Sequence, residues 1–260
     1  MDVKLLSKTE EKMSFLLKDS TPIIANTLRR YIVEHVPTLA IEEVEFKKNN
    51  SLLYDTMIAH RLGLIPIKTD LKSYNLPKIV SGKEIRDATS QVEFSLESSS
   101  VGMVYSGKLK FKDPAVKPMS DNFPIVKLLK GQNIQCSGQA VMGRGIDHAK
   151  WAPAHVWYTY EPEITINNDS PKLEEFKEKY PRIIFDEKGR IDKNKINTPQ
   201  LIDAVAGVCD TIIKVAYNPN NFVFYVESFG QLDSKEIVLT ALSIFDAQLD
   251  NFLDALKSAS

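Results

Sequence analysis

Between Val238 and Leu256 large apolar residues recur at alternating spacings of four and three: Val238, Leu242, Phe245, Leu249, Phe252 and Leu256. A mean spacing of 3.5 keeps them on one side of a helix, and at 1.5 Å per residue the seam runs for roughly 30 Å. Asp233, followed three positions later by Glu236, is a capping-box-like start. Burying six such side chains is worth roughly 10 kcal/mol before entropy costs, at ~1.5–3 kcal/mol each. A terminal helix of this length needs a covering surface, from its own domain or from another subunit. Ile237, Ala241 and Ile244 widen the stripe, which points to both at once.

A second helix is legible near the start. Thr21 can cap it, Pro22 suits its first turn, and Pro37 marks its end. On a wheel of ~100° per residue, Ile24, Leu28, Tyr31, Ile32 and His35 share one face. Asn26, Thr27, Arg30 and Glu34 take the opposite face, with Arg29 at the border. Before this helix, residues 1–18 alternate at period two (Val3, Leu5, then Met13, Phe15, Leu17), which predicts an extended hairpin. After it, Leu39–Phe46 reads as a strand, and Asn49–Ile67 as a short helix that stops near Gly63 and enters a strand through Pro66.

From about Lys68 to Pro162 short strands alternate with turn signals, as in QVEFSLESSS and GKLKFKD. Residues 167–200 are charged and loop-like. One helix is expected to open at Ser170 and Pro171, and another at Thr198 and Pro199 with Leu201, Ile202, Val205, Val208, Cys209 and Ile212 on its apolar side. YNPNN then predicts a turn, and FVFYVESFG a strand. The fold class expected is α+β.

The 33 basic and 34 acidic side chains nearly cancel, so no overall field draws the chain to nucleic acid or a membrane surface. Cys136 and Cys209 are far apart and form no CxxC, which argues against a disulfide framework and a four-thiolate site. No signal-like apolar core and no run of 18 uncharged apolar residues occurs. A cytoplasmic protein that does not span a membrane is expected.

The densest stretch is GRGIDHAKWAP, Gly143–Pro153. It starts like a dinucleotide fingerprint, but His148 stands where the third glycine belongs and Pro153 interrupts any following helix. Asp147 and His148 point apart on any strand, and no Ser or Cys completes a triad. His35, His60, His148 and His155 include no HxxxH or HxH pair for zinc. His60 with Arg61 reads as a helix-end cap and a surface charge, or as a base with an anion clamp. The loop itself has two readings. In one it is a tight turn, with Gly143 or Gly145 at positive φ and Trp151 packed inward; in the other it is a protein-docking surface built on Arg144, His148, Lys150 and Trp151. Arg29 and Arg30 likewise form either a solvated face, with Arg30 paired to Glu34, or an anchor for a partner's carboxylates.

Four ordered blocks resemble the D subunit of archaeal DNA-directed RNA polymerase: Pro22–Phe46, Asn49–Ile67, Gly143–Pro162 and Asn221–Ile237. That family is related to the N-terminal domain of the bacterial alpha subunit and to the third-largest subunit of eukaryotic polymerase II. The resemblance implies a discontinuous dimerisation domain, residues 1–48 and 216–260, made of a sheet and two long helices. A β-rich domain, 49–166, and a small helical insert, 167–215, would lie between. It implies a non-catalytic platform that pairs with subunit L through Leu28, Ile32, Val238, Leu242, Phe245, Leu249, Phe252 and Leu256. Arg29, Arg30, Arg144, His148, Lys150 and Trp151 would dock the second-largest and largest subunits; small subunits N and P complete the expected partners, and DNA is met only through the complex.

Many members of the family carry an iron–sulfur module with cysteines spaced C-x2-C-x2-C-x3-C. With Cys209 as the last, the preceding positions here are Pro199, Ile202 and Val205, none able to bind iron. No cluster and no other cofactor is expected. The competing functions are a stand-alone enzyme binding a small phosphorylated ligand at residues 143–153, and a homodimeric scaffold like bacterial alpha.

Overall fold

The computed structural model describes residues 1–259 and is α+β, with five α-helices among the described residues. A hairpin opens the chain, β1 (Asp2–Lys8) and β2 (Lys12–Lys18), as the period-two pattern predicts. Helix α1 (Pro22–Glu34) and strand β3 (Pro37–Asn49) follow, with the two prolines at their starts. Next come α2 (Asp55–Gly63), β4 (Lys78–Val80), β5 (Lys83–Ile85), β6 (Gln91–Ser98), β7 (Gly102–Tyr105), β8 (Lys110–Phe111), β9 (Pro124–Leu128), β10 (Ile134–Arg144) and β11 (Ala154–Ile166). The chain ends with α3 (Leu173–Phe176), α4 (Pro199–Val205), β12 (Ile213–Ser228) and α5 (Ser234–Ala259).

Packing divides these elements into two compact units, each discontinuous. One holds residues 1–4, 15–22 and 158–224; the other holds 5–14, 23–157 and, to the end of the described residues, 225–259. This division differs from the three segments read from the sequence: residues 49–157 pack in one unit with α1 and α5, and residues 158–166 pack with the insert. Strands β1, β2, β12 and β11 are hydrogen-bonded in that order in one sheet.

In the larger unit the main sheet has the order β3-β10-β6-β8. Antiparallel pairing of β10 to β3 sets Arg144 opposite Pro37 and Met142 opposite Leu39, which carries the end of β10 to the end of α1. Alternation in β6 puts Val92, Phe94 and Leu96 inward, against Ile58 and Leu62 of α2 and Leu39 and Ile41 of β3. In the smaller unit Ile164, Leu173, Tyr180, Ile184, Ile191, Ile196, Val205, Ile212 and Ile213 form a core of their own. Aromatic stacking of Phe15 on Phe224, centroids 5.0 Å apart, adds to that unit.

Four expectations are corrected. The buried line of α1 runs through Ala25 and Ile32, while Ile24 is exposed, because burial follows the neighbouring elements and not the largest side chains. No strand passes through Pro66: the segment makes an isolated bridge at Ile67 to Pro118, since Pro66 has no N–H to add to a ladder. YNPNN is not a turn but lies inside β12. There Asn218 Oδ1 accepts from the Asn220 amide at 3.0 Å, and the Asn220 carbonyl accepts from the Ser20 amide at 2.9 Å, so the ladder continues past Pro219. Helix α4 is capped by Thr198, as expected, but stops at Val205, because Ala206 is extended and Gly207 takes positive φ. Val208, Cys209 and Ile212 therefore follow the helix and do not lie on it.

Candidate functional site

Helix α5 begins with Asp233 Oδ1 accepting from the Lys235 amide at 2.8 Å, which satisfies one of the free N–H groups of the first turn. Its first turns are packed within the chain, with Ile237, Val238 and Ala241 buried. Beyond them the helix loses its cover. Leu242, Leu249, Phe252 and Leu256 are exposed, Phe252 at 61%. Phe245 is half-buried and meets Tyr31 of α1 edge to face at 4.8 Å, and the Tyr31 hydroxyl donates to Gln248 Oε1 at 2.5 Å.

The eight residues read as one dimer seam therefore separate. Ile32 and Val238 are buried inside this chain, Leu28 and Phe245 are half-buried, and the other four are open. Ile237 and Ala241, read as widening the stripe, face the chain's own core. Leu239 and Leu253, which the sequence reading misses, widen the exposed side instead. They stand fourteen residues apart, two heptads, so a heptad count along the helix finds them.

The 143–153 loop is held from beneath. A β-carbon on Gly143 would overlap the Trp151 ring, and one on Gly145 would overlap the Val33 carbonyl oxygen. Neither glycine has positive φ; both are required by close approach. Ile146 N–H donates to the Glu34 carbonyl at 3.0 Å, which ties the loop to the C-terminal end of α1. Trp151 is 9% exposed, its indole donating to the Val141 carbonyl at 3.0 Å. Lys150 lies along that ring, and its ammonium donates to the Ile41 carbonyl at 3.0 Å and to the Glu42 carboxylate. These two side chains build the loop and do not present themselves at its surface, a correction to the expected docking set. His148 is exposed, its Nδ1 accepting from the Lys150 amide at 3.1 Å. Arg144 is partly exposed, 3.6 Å from Asp147.

On α1, Arg30 forms a two-pronged pair with Glu34, both contacts 3.0 Å. The hydrogen bond from Arg30 holds the Glu34 carboxyl below its ordinary range. Arg29 donates to Asn26 Oδ1 at 3.1 and 3.0 Å, an amide that does not neutralise its charge. His60 is exposed, and Arg61 donates to the Pro124 carbonyl at 2.7 Å, a structural contact.

The four positions counted back from Cys209 at the C-x2-C-x2-C-x3-C spacing do not fit a four-thiolate centre. Pro199 starts α4, Val205 is fully buried in hydrocarbon, Ile202 is half-buried against the same core, and only Cys209 supplies sulfur. Cys209 Sγ lies 3.2 Å from the Thr211 hydroxyl. Burial holds the other thiol, Cys136, up at about 11. Among the described residues no group of three or more His, Cys, Asp or Glu side chains is placed to hold a metal ion, and no helix is long and apolar enough to cross a membrane.

The chain is thus α+β, with an exposed apolar row along α5 and a loop after β10 braced by Lys150 and Trp151. Residues 43–155 match the RNA polymerase Rpb3/RpoA insert domain. DNA-directed RNA polymerase subunit Rpo3 of Pyrococcus furiosus is 37% identical, over 99% of this chain and 97% of that protein. Subunit Rpo3 of Thermococcus kodakarensis is 38% identical, over 98% of each, and that of Methanosphaera stadtmanae 33%, also over 98% of each. The chain belongs to the Rpo3 family of DNA-directed RNA polymerase subunits.

Proposed function

We propose that the chain is an assembly subunit of a DNA-directed RNA polymerase, contributing docking surfaces and no catalytic group of its own. It pairs with subunit L through the exposed half of α5 and presents the end of α1, with Arg29, Arg30, Arg144 and His148, to the two largest subunits; N and P join the assembled enzyme. The observation that carries this reading is the open apolar row Leu242, Leu249, Phe252, Leu253 and Leu256 on a helix whose first turns are already buried. An unpartnered row of this kind has its natural complement in another helix with an apolar stripe.

Co-expression with subunit L of the same organism tests the pairing. A stable heterodimer should form, and Leu249→Asp with Phe252→Asp should abolish it while the chain stays folded. A heterodimer that survives both charges would overturn the assigned face. Arg29→Glu with Arg30→Glu should weaken capture of the second-largest subunit and spare subunit L; equal loss of both would assign the arginines to folding. The insert, in the same reading, is held by its hydrocarbon core and carries no cluster.

A further inference from the structure

A cavity of about 310 Å³ lies beside the C-terminal end of α1, walled by His35, Arg144, Leu71, Leu76, Thr240 and Ile244. Two of its polar side chains are a cation, Arg144, and an imidazole with an unpartnered nitrogen, His35. His35 Nδ1 is buried without a hydrogen-bond partner, and the ring is held by stacking on Tyr31, centroids 4.5 Å apart. Arg144 has its nearest carboxylate at 3.6 Å, on the half-exposed side chain of Asp147. Tyr74, also in the wall, already donates its hydroxyl to Asp113 at 2.7 Å. No Asp or Glu lines this cavity among the described residues. Burial, and after it the charge of Arg144, keep His35 below its ordinary value, so the wall holds a neutral imidazole beside a guanidinium.

We propose that this cavity receives a carboxylate-bearing side chain of a neighbouring polypeptide, with Arg144 as its counter-ion and the imidazole of His35 beside it in the wall. A polypeptide, and not a free anion, fits the surroundings. Leu71, Leu76 and Ile244 give the cavity an apolar rim, and a second cavity of about 530 Å³ shares Leu76 and Arg144 with the first. That second cavity carries Pro77 and Ile79, the latter 77% exposed. An extended segment crossing Arg144 would seat its acidic side chain in the first cavity and lay apolar neighbours on Leu76 and Ile79. Guanidinium–carboxylate pairing supplies direction, and the apolar rim excludes water from it.

The inference rests on the assembly role proposed above, and its test separates the two. A photo-crosslinking phenylalanine placed at position 76 in the reconstituted polymerase should capture a peptide of another subunit that contains Asp or Glu. Arg144→Glu should lower retention of that subunit at least tenfold, and changing the captured acidic residue to Arg should restore it. Arg144→Gln and His35→Phe, which keep bulk and stacking, should each weaken retention in the same direction, so a folding defect in the charge reversal leaves the test standing. Crosslinks confined to this chain, a captured peptide without an acidic residue, or full retention in all three variants would overturn the proposal. So would an acetate- or phosphate-induced rise in the melting temperature of the isolated chain that is lost in Arg144→Gln, since it would assign the cavity to a free anion. Failure of the wild-type chain to enter the polymerase overturns both readings; entry without the crosslink overturns this one alone.

Discussion

The ammonium of Lys150 lies 4.4 Å from the centroid of the Trp151 ring while it donates to the Ile41 carbonyl and the Glu42 carboxylate. One side chain thus joins the loop after β10 to the strand β3. Lys150→Met keeps most of the stem but removes the charge, leaving the half-exposed Glu42 without its cation. The expected loss is about 1–3 kcal/mol, combining the cation–π contact with the charged hydrogen bonds. Urea unfolding followed by tryptophan fluorescence measures it; an unchanged midpoint would mean that packing alone holds the loop.

Gly145 tests the same loop from the backbone. A methyl group there would overlap a carbonyl oxygen of α1, Val33, and backbone cannot swing aside as a side-chain tip can. Gly145→Ala should cost about 1–3 kcal/mol, the range for overpacking. Thermal denaturation of the isolated chain reads it directly. A gain in stability, as alanine gives at an unstrained glycine, would refute the close approach.

Along α5 the effect of truncation should change with position. Ile237→Ala removes a fully buried side chain and should cost about 2–5 kcal/mol in the isolated chain. Phe252→Ala should stay within about 0.5 kcal/mol there, as exposed positions do. In the proposed heterodimer with subunit L the order should reverse: Phe252→Ala should raise the dissociation constant by about thirtyfold or more, the scale of an interface anchor losing ~2 kcal/mol. Equilibrium unfolding and isothermal titration calorimetry make the pair of measurements.

Proline and spacing make much of this fold readable. Pro22, Pro37 and Thr198 sit where helices or strands begin, because a missing N–H or a capping hydroxyl acts locally, whatever surrounds it. The heptad row of α5 is equally plain, but how it divides between the chain's own core and an open face depends on where neighbouring elements end, which periodicity does not record. Trp151 can be read from the sequence either as packed inward or as a surface anchor, for a related reason: the residue type suits both, and its burial is decided by Gly143, which leaves room for the ring. The buried, unpartnered ring nitrogen of His35 is a property of three-dimensional surroundings and has no sequence signal beyond the helix face on which His35 falls.

The insert should stand without metal. Ile184 and Val205 are fully buried in its core, and Val205 stands at one of the positions counted back from Cys209 at the C-x2-C-x2-C-x3-C spacing. Prolonged treatment with a chelator should leave the melting temperature unchanged, while Ile184→Ala should cost about 2–5 kcal/mol. Iron and sulfide bound in stoichiometric amount to the purified chain would contradict this account.

His35 sets a pH dependence whose sign follows from its surroundings. Burial lowers its proton affinity most, the charges of Arg144 and Arg30 add to that, and Glu34 opposes them. In the unfolded chain the imidazole takes up a proton near its ordinary value of about 6.5, whereas in the folded chain it waits for a lower pH. The unfolded state therefore binds more protons through that window. Stability is complete above about pH 6.5, falls as pH drops below it, and levels off once the folded imidazole also protonates. His35→Phe should keep the stacking on Tyr31 and flatten this dependence. Urea unfolding of the isolated chain and the variant, from about pH 7.5 to about pH 5.5, compares the slopes with every carboxylate held in common. Parallel curves would show that the ring is open to water in solution; a steeper curve for the wild-type chain fixes His35 as the buried base.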